Sequence, residues 1–274
     1  MLTVVIPSKN INNLIPCLHS ICKQDTGLRI IVIDDGLDLS QTPIPSWYAG
    51  STIEIIEGEK PFVFSRNCNR GIREAGQHSD VILHNDDCLL ESAGGFTRMA
   101  EAAAKVPGTG IVGAVTNLTG QPLQHANGRN ELIEQQPAEM GLRAVEHIAF
   151  VSVLIPAATR AALKASSDPR ITGGLLDERY CEGYGSEDRD YCMQVEAARL
   201  CVCVHDGCFV DHSQLHSTFR GDPAAPGDIW ANHRVLNKKW GLPPNPADPL
   251  YARLMRERES LGHRFAGAIK DFLK

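Results

Sequence analysis

No apolar run in this chain of 274 residues approaches the roughly 20 residues that a membrane-spanning helix needs. The opening stretch MLTVVIPSKN lacks the charged start and long apolar core of a secretory leader. Together these absences predict a cytoplasmic protein, free or peripheral to a membrane surface. Paired CxxC knuckles are missing, so the nine cysteines read as reduced, mostly buried thiols and not as a disulfide framework. The tightest group, Cys201, Cys203, His205 and Cys208 in CVCVHDGC, alternates with valines like one face of a strand, and zinc is disfavoured there. No GxxxxGK[ST] or GxGxxG loop follows any predicted strand, which argues against P-loop and dinucleotide-binding enzymes. Internal repeats and low-complexity linkers are also absent, so composition marks no firm domain boundary.

Positive charge is scarce overall. The net charge of −6 disfavours a general nucleic-acid binder. It is unevenly spread, however. Residues 213–274 hold ten Lys/Arg against six Asp/Glu, and the rest of the chain has a net charge of −10. A solvated basic helix accounts for this tail; contact of Arg253, Arg256, Arg258 and Arg264 with an anionic acceptor is the sharper alternative.

The sequence does contain short β-branched runs alternating with helical patterns. LTVVIP, LRIIVIDDG, STIEIIEG, SDVILHNDD, GTGIVGAVTNL and HIAFVSVLIP read as strands, and CVCVHDGCFVDHS as two short ones. Helices are predicted in NNLIPCLHSICKQ, SRNCNRGIREAG, ESAGGFTRMAEAAAKV, AATRAALKAS and GDIWANHRVLNKKWG, with one or two more over 249–273. This alternation predicts an α/β fold, a mostly parallel sheet with helices on both faces.

In such sheets ligands sit beyond the carboxyl ends of the strands. Acids fall at two of those ends, Asp34 and Asp35 after one strand, Asp86 and Asp87 after another. A third group, Glu187, Asp188 and Asp190, stands in GYGSEDRDYC. Like charges so close repel one another, and the macrodipole of a helix start accounts for one or two of them. Ser186 can cap that helix. Helical spacing then stacks Asp188 with Cys192 and Val195, and Glu187 with Tyr191, on the apolar side, and turns Asp190 away as a structural residue. Carboxylates gathered at strand ends can hold a divalent ion, and through it a diphosphate.

The ordered set of motifs resembles the family 2 glycosyltransferases, which have a GT-A fold and mostly invert the anomeric centre. VVIPSKNINNLIPCLHSI is similar to the family's opening strand and helix, IIVIDDGLD to its nucleotide-binding turn, and SRNCNRGI to its ARNxGI helix. LHNDDC stands where the family has its DXD motif, GLLDERYCEGYGSEDRDYCMQVEAA where it has the catalytic acid, and VDHSQLHSTF where it has a downstream histidine. The likeness implies a GT-A domain over 1–241, with a nucleotide-sugar half (1–117) and an acceptor half (118–241), and a helical extension over 242–274.

It also implies roles. Pro7, Asp34 or Asp35, Arg66, Asn85, Asp86 and Gly185 would line a nucleotide-diphosphate sugar, UDP-sugar favoured. Of the acid pair, Asp34 is preferred because it ends the apolar run. Asn85 replaces the first acid of DXD, which leaves Asp87 as the direct ligand of Mn²⁺ or Mg²⁺, completed by His212 or, second, His216. Asp188 would be the general base, with Glu187 tuning or orienting it. Gly183 and Gly185 would give the sugar clearance. The implied acceptor is a glycan or lipid-linked saccharide. Alternatives are a protein, a hydroxylated base in DNA, or a binding module that has lost its chemistry.

Overall fold

A computed structural model describes residues 2–40, 44–125, 141–181, 185–215 and 230–255. His216, Gly183, Arg256, Arg258 and Arg264 lie outside these. The order is β1 (Leu2–Ser8), α1 (Ile11–Gln24), β2 (Arg29–Asp34), β3 (Trp47–Tyr48), β4 (Ser51–Glu57), α2 (Phe64–Ala75) and β5 (Asp80–His84). There follow β6 (Leu89–Leu90), α3 (Gly95–Lys105), β7 (Thr109–Thr116), β8 (Leu142–Ala144), β9 (Ser152–Ile155), α4 (Ala157–Ala165), α5 (Glu187–Ala197), β10 (Cys201–Asp211) and α6 (Trp230–Trp240). Residues 249–255 are also helical.

All strands join one sheet in the order β3-β4-β2-β1-β5-β9-β7-β10-β6, with β8 also on β10. The long pairings β4–β2, β2–β1, β1–β5 and β7–β10 are parallel, as the alternation predicts. Both sheet faces are covered, and the period of two is visible in the core. Val4, Ile6, Ile30, Val32 and Ile82 pack with Leu14, Leu18 and Ile21 of α1 and Phe96 and Met99 of α3. Their neighbours Val5, Ile31, Ile33, Val81 and Leu83 turn to the other face, against Ile72 of α2 and Tyr191 and Val195 of α5. Gly71 lets α2 approach β1: a Cβ there would lie 2.2 Å from Val5 Cγ1.

Two strand expectations are corrected. CVCVHDGCFVDHS is one strand, not two; its register against β7 jumps between His205 and Phe209, so the HDG stretch is absorbed as a bulge. HIAFVSVLIP contributes only Ser152–Ile155, and this β9 runs antiparallel to both β5 and β7. Ahead of it, Val151 O accepts from Asn85 N and Ala149 N donates to Gln124 Oε1, so these backbone groups serve loops and not a ladder. The two-residue strands β3 and β6 are too short to leave any periodic pattern in sequence.

Candidate active site

The carboxyl ends of β1, β2 and β5 lie side by side, since Ser8 pairs with Asp34 across β1–β2 and Val5 with Leu83 across β1–β5. Pro7 is buried there, opposite Ile33. The two acids after β2 have different surroundings. Asp34 Oδ1 accepts from the amides of Gly36 (2.7 Å) and Leu37 (2.6 Å) and so builds the turn. The Asp35 carboxyl is pushed up by burial, which Lys60 and Lys9 oppose. Asn67 of α2 approaches it, yet its Nδ2 is buried without a partner at hydrogen-bond geometry. Arg66, on the first turn of α2, is half-buried, and its side chain makes no hydrogen bond or close ion pair among the described residues, acting on Glu178 only through space.

The turn after β5 carries Asn85, Asp86 and Asp87. Asn85 is half-buried. Asp86 accepts from Ser8 Oγ at 2.6 Å, tying β5 to β1, and burial pushes its carboxyl up to about 7. The turn is pinned from below by His84, which donates from Nε2 to Cys88 O (3.2 Å) and accepts at Nδ1 from Ser152 Oγ (3.0 Å). Complete burial lowers His84 to about 4 and keeps it neutral.

Asp87 meets His212. The His212 Nε2 lies 3.3 Å from Asp87 Oδ1, the two side chains being 14% and 8% exposed. Its Nδ1 lies 2.8 Å from Leu118 O, and its amide donates to Asn117 Oδ1. A carbonyl only accepts, so Nδ1 holds a proton, and when the ring is neutral the Nε2 lone pair faces the carboxylate. Two acceptors at that distance call for a cation between them or a proton on the ring. Ligands about 2.1 Å from one ion and at right angles to each other lie roughly 3 Å apart, so this pair fits a shared octahedral ion. The Cys88 thiol stands 3.7 Å from Asp87 Oδ1 and belongs to the same cluster, the one group of potential ligands assembled among the described residues. Cys201, Cys203, His205 and Cys208 form no such group there.

The third acidic cluster opens α5. Ser186 makes no capping bond, contrary to expectation. It has φ 79°, and with Gly185 at φ 83° forms two successive left-handed residues. A Cβ on Gly185 would meet open space, so glycine is favoured there by conformation and not by contact. Its carbonyl accepts from Asn232 Nδ2 of α6 at 3.0 Å. Asp190, expected off the apolar side of the helix, is instead fully buried, accepting from Lys239 Nζ (2.7 Å), Gln194 Nε2 (2.7 Å) and Trp240 Nε1 (2.6 Å). Burial and the neighbouring Asp188 push the Glu187 carboxyl well above the usual range. Asp188 is partly exposed, and His147 Nε2 lies 3.7 Å from its Oδ1.

His147, Asn67, Cys88 and Lys239 escaped sequence reasoning. Cys88 adjoins the acid pair and could have been read as a ligand. His147 and Lys239 stand in stretches whose only pattern is hydrophobic periodicity, so nothing local marked them.

The Glycosyl transferase family 2 profile matches residues 3–146. No curated protein matches this chain. Among solved structures, GalNAc-T7 with UDP, GalNAc and Mn²⁺ superposes with a TM-score of 0.57 at 14% identity, over 77% of this chain and 43% of that one. Staphylococcus aureus TarS 1–349 in complex with UDP-GlcNAc superposes with a TM-score of 0.58 at 12% identity, over 87% of this chain and 66% of that one. This chain thus spans less than two thirds of either relative, and at such identities the likeness is one of fold. With more than half of its length matched by the profile, on a sheet shared with both glycosyltransferase structures, the chain belongs to glycosyl transferase family 2.

Proposed function

We propose that this chain is a metal-dependent inverting glycosyltransferase, moving a sugar from a nucleotide diphosphate, UDP-sugar favoured, to an acceptor hydroxyl. The observation that carries the reading is His212 Nε2 set 3.3 Å from the buried Asp87 carboxylate, on a ring held by Leu118 O at Nδ1. Solved relatives that hold UDP with Mn²⁺, or UDP-GlcNAc, support the choice of donor. Asp87 and His212 would hold Mn²⁺ or Mg²⁺, with donor oxygens completing the shell. When bound, such an ion counters the charge of a departing diphosphate.

The remaining roles belong to this chain's own side chains. Asp35 accepts from the donor base: burial raises its carboxyl, so a hydrogen bond from the base would offset that cost, whereas Asp34 Oδ1 already serves two amides. Arg66 lies along the nucleotide, and Asn85 and Asp86 face the ribose and diphosphate. Asp188 takes the proton of the acceptor hydroxyl as it attacks the anomeric carbon, with Glu187 beside it holding its own proton more tightly. The acceptor is a glycan or lipid-linked saccharide.

The test is thermal stabilisation by UDP-glucose, UDP-galactose, UDP-N-acetylglucosamine and UDP-N-acetylgalactosamine, each with and without Mn²⁺. A donor at a hundred times its Kd adds about 2.7 kcal/mol of stability. His212→Ala should remove the Mn²⁺-dependent part and leave the fold intact. A set of donors giving no metal-dependent shift would sink the metal reading. Binding without any release of UDP would favour a binding module.

A further inference from the structure

His147 contacts nothing that its local sequence explains. It stands between β8 and β9, its side chain 21% exposed. Its Nε2 is closed off from solvent, without a hydrogen-bond partner, and lies 3.7 Å from Asp188 Oδ1. A buried ring nitrogen is costly without a partner, and among the described residues the carboxylate nearest to it is that of Asp188, at the start of α5. Neighbouring groups do not satisfy it instead. Glu196, one helical face along α5, interacts with His147 only through space, as does Glu146 with Glu196. Glu187 and Cys192 face Asp188 from the same helix. The segment is also held firmly: Val145 N donates to Val202 O, and Ile148 O faces Cys192 Sγ at 3.9 Å, so the ring is anchored between β10 and α5.

We propose that His147 is the positioning partner of Asp188, its Nε2–H turned to the carboxylate and holding it in the orientation in which it takes the acceptor proton. The inference rests on the reading of Asp188 as base. During transfer the acceptor O–H bond breaks and its oxygen bonds to the anomeric carbon. The bond from that carbon to the phosphate oxygen breaks, and its electron pair leaves with the diphosphate. The proton goes to Asp188. Contraction of the 3.7 Å gap to hydrogen-bond distance, about 2.8 Å, is a side-chain movement only.

The experiment measures UDP release from UDP-glucose, UDP-galactose and UDP-N-acetylglucosamine in Mn²⁺, with water as acceptor, for the full chain and for His147→Ala, His147→Gln and Asp188→Asn. The donor-induced thermal shift serves as the check on folding and binding. His147→Ala should lower kcat by roughly 10- to 100-fold, as loss of an orienting partner does. Its KM for the donor should stay within about twofold, since the ring touches no part of the donor site. Exogenous imidazole should restore part of the rate. His147→Gln, which keeps an N–H donor to the carboxylate, should retain most of the rate that His147→Ala loses.

An unchanged kcat in His147→Ala, or a loss in His147→Gln as large as in His147→Ala, with Asp188→Asn inactive, would overturn the inference and leave the base intact. An active Asp188→Asn, or a wild-type protein that releases no UDP from any of the three donors, would remove both together.

Discussion

Lys239 offers the most exacting test of how the acidic helix is held. Its side chain is 2% exposed and bridges two buried carboxylates, Asp177 Oδ2 at 2.8 Å and Asp190 Oδ2 at 2.7 Å. In Lys239→Met the volume is nearly kept while the cation is lost. Asp177 retains Arg179, and Asp190 retains the neutral donors Gln194 and Trp240. Removing one partner of a buried ion pair costs about 3–5 kcal/mol, and these remaining partners put the expected loss near the low end, about 3 kcal/mol. For a chain of this size that corresponds to a fall in Tm of roughly 6–12 °C.

The pH dependence supplies a second arm. Burial raises Asp177, but Arg179 and Lys239 outweigh it and hold the carboxyl at about 2. A carboxyl depressed in the folded state adds stability above its unfolded pKa, about 3.9, and loses it as the pH falls toward the folded value. Without Lys239 that depression shrinks, so the gap between wild type and variant should be full at pH 7 and narrow below about pH 4. Denaturant unfolding followed by circular dichroism at pH 7 and pH 3.5 reads both. A gap under about 1 kcal/mol at pH 7, too small for a broken buried pair, would refute the reasoning, as would a gap that stays constant into acid.

Two further outcomes are expected. Gly71→Ala would bring a methyl group within 2.2 Å of Val5 Cγ1, and overpacking of this kind costs about 1–3 kcal/mol; urea unfolding checks it, and an unchanged midpoint would mean that α2 and β1 can separate freely. Asp35→Ala should abolish the UDP-induced thermal shift with little loss of intrinsic stability, whereas Asp34→Ala should lower stability by roughly 1 kcal/mol through its two turn amides. If the two variants exchanged these phenotypes, Asp34 would be the base-recognising acid.

The sheet's first half was readable because its strands are near-continuous β-branched runs, buried on both faces and separated by amphipathic helices. Val4, Val5 and Ile6 need no tertiary knowledge to be placed. The acids at the ends of β2 and β5 were readable for the same reason: once the strands are parallel, Asp34, Asp35, Asp86 and Asp87 must emerge on one edge. Legibility fails where distant segments supply the answer. The antiparallel β9 is a four-residue run whose direction depends on its neighbours. The bulge in β10 carries a turn-like HDG that tertiary pairing overrides. Tautomer and partner assignments, such as Leu118 O fixing His212, are invisible at 94 residues' separation.

The family profile ends at residue 146, before Asp188 and before every contact that fixes it. Those contacts converge from α6. Asn232 donates to Gly185 O, His233 Nδ1 lies 3.4 Å from Ser186 Oγ, and Lys239 and Trp240 hold Asp190. Left-handed conformations at Gly185 and Ser186 bring the chain into α5 without a side-chain cap, and a non-glycine residue in that region costs of order 1–3 kcal/mol unless its surroundings impose it. The α6 contacts supply that imposition. Asp188 therefore emerges where it does because a helix some fifty residues later grips both sides of it, at Gly185–Ser186 and at Asp190. The crowding of acids is divided accordingly. Asp190 is the handle by which α6 holds the segment, Glu187 is kept against the interior, and Asp188 is left partly open toward His147.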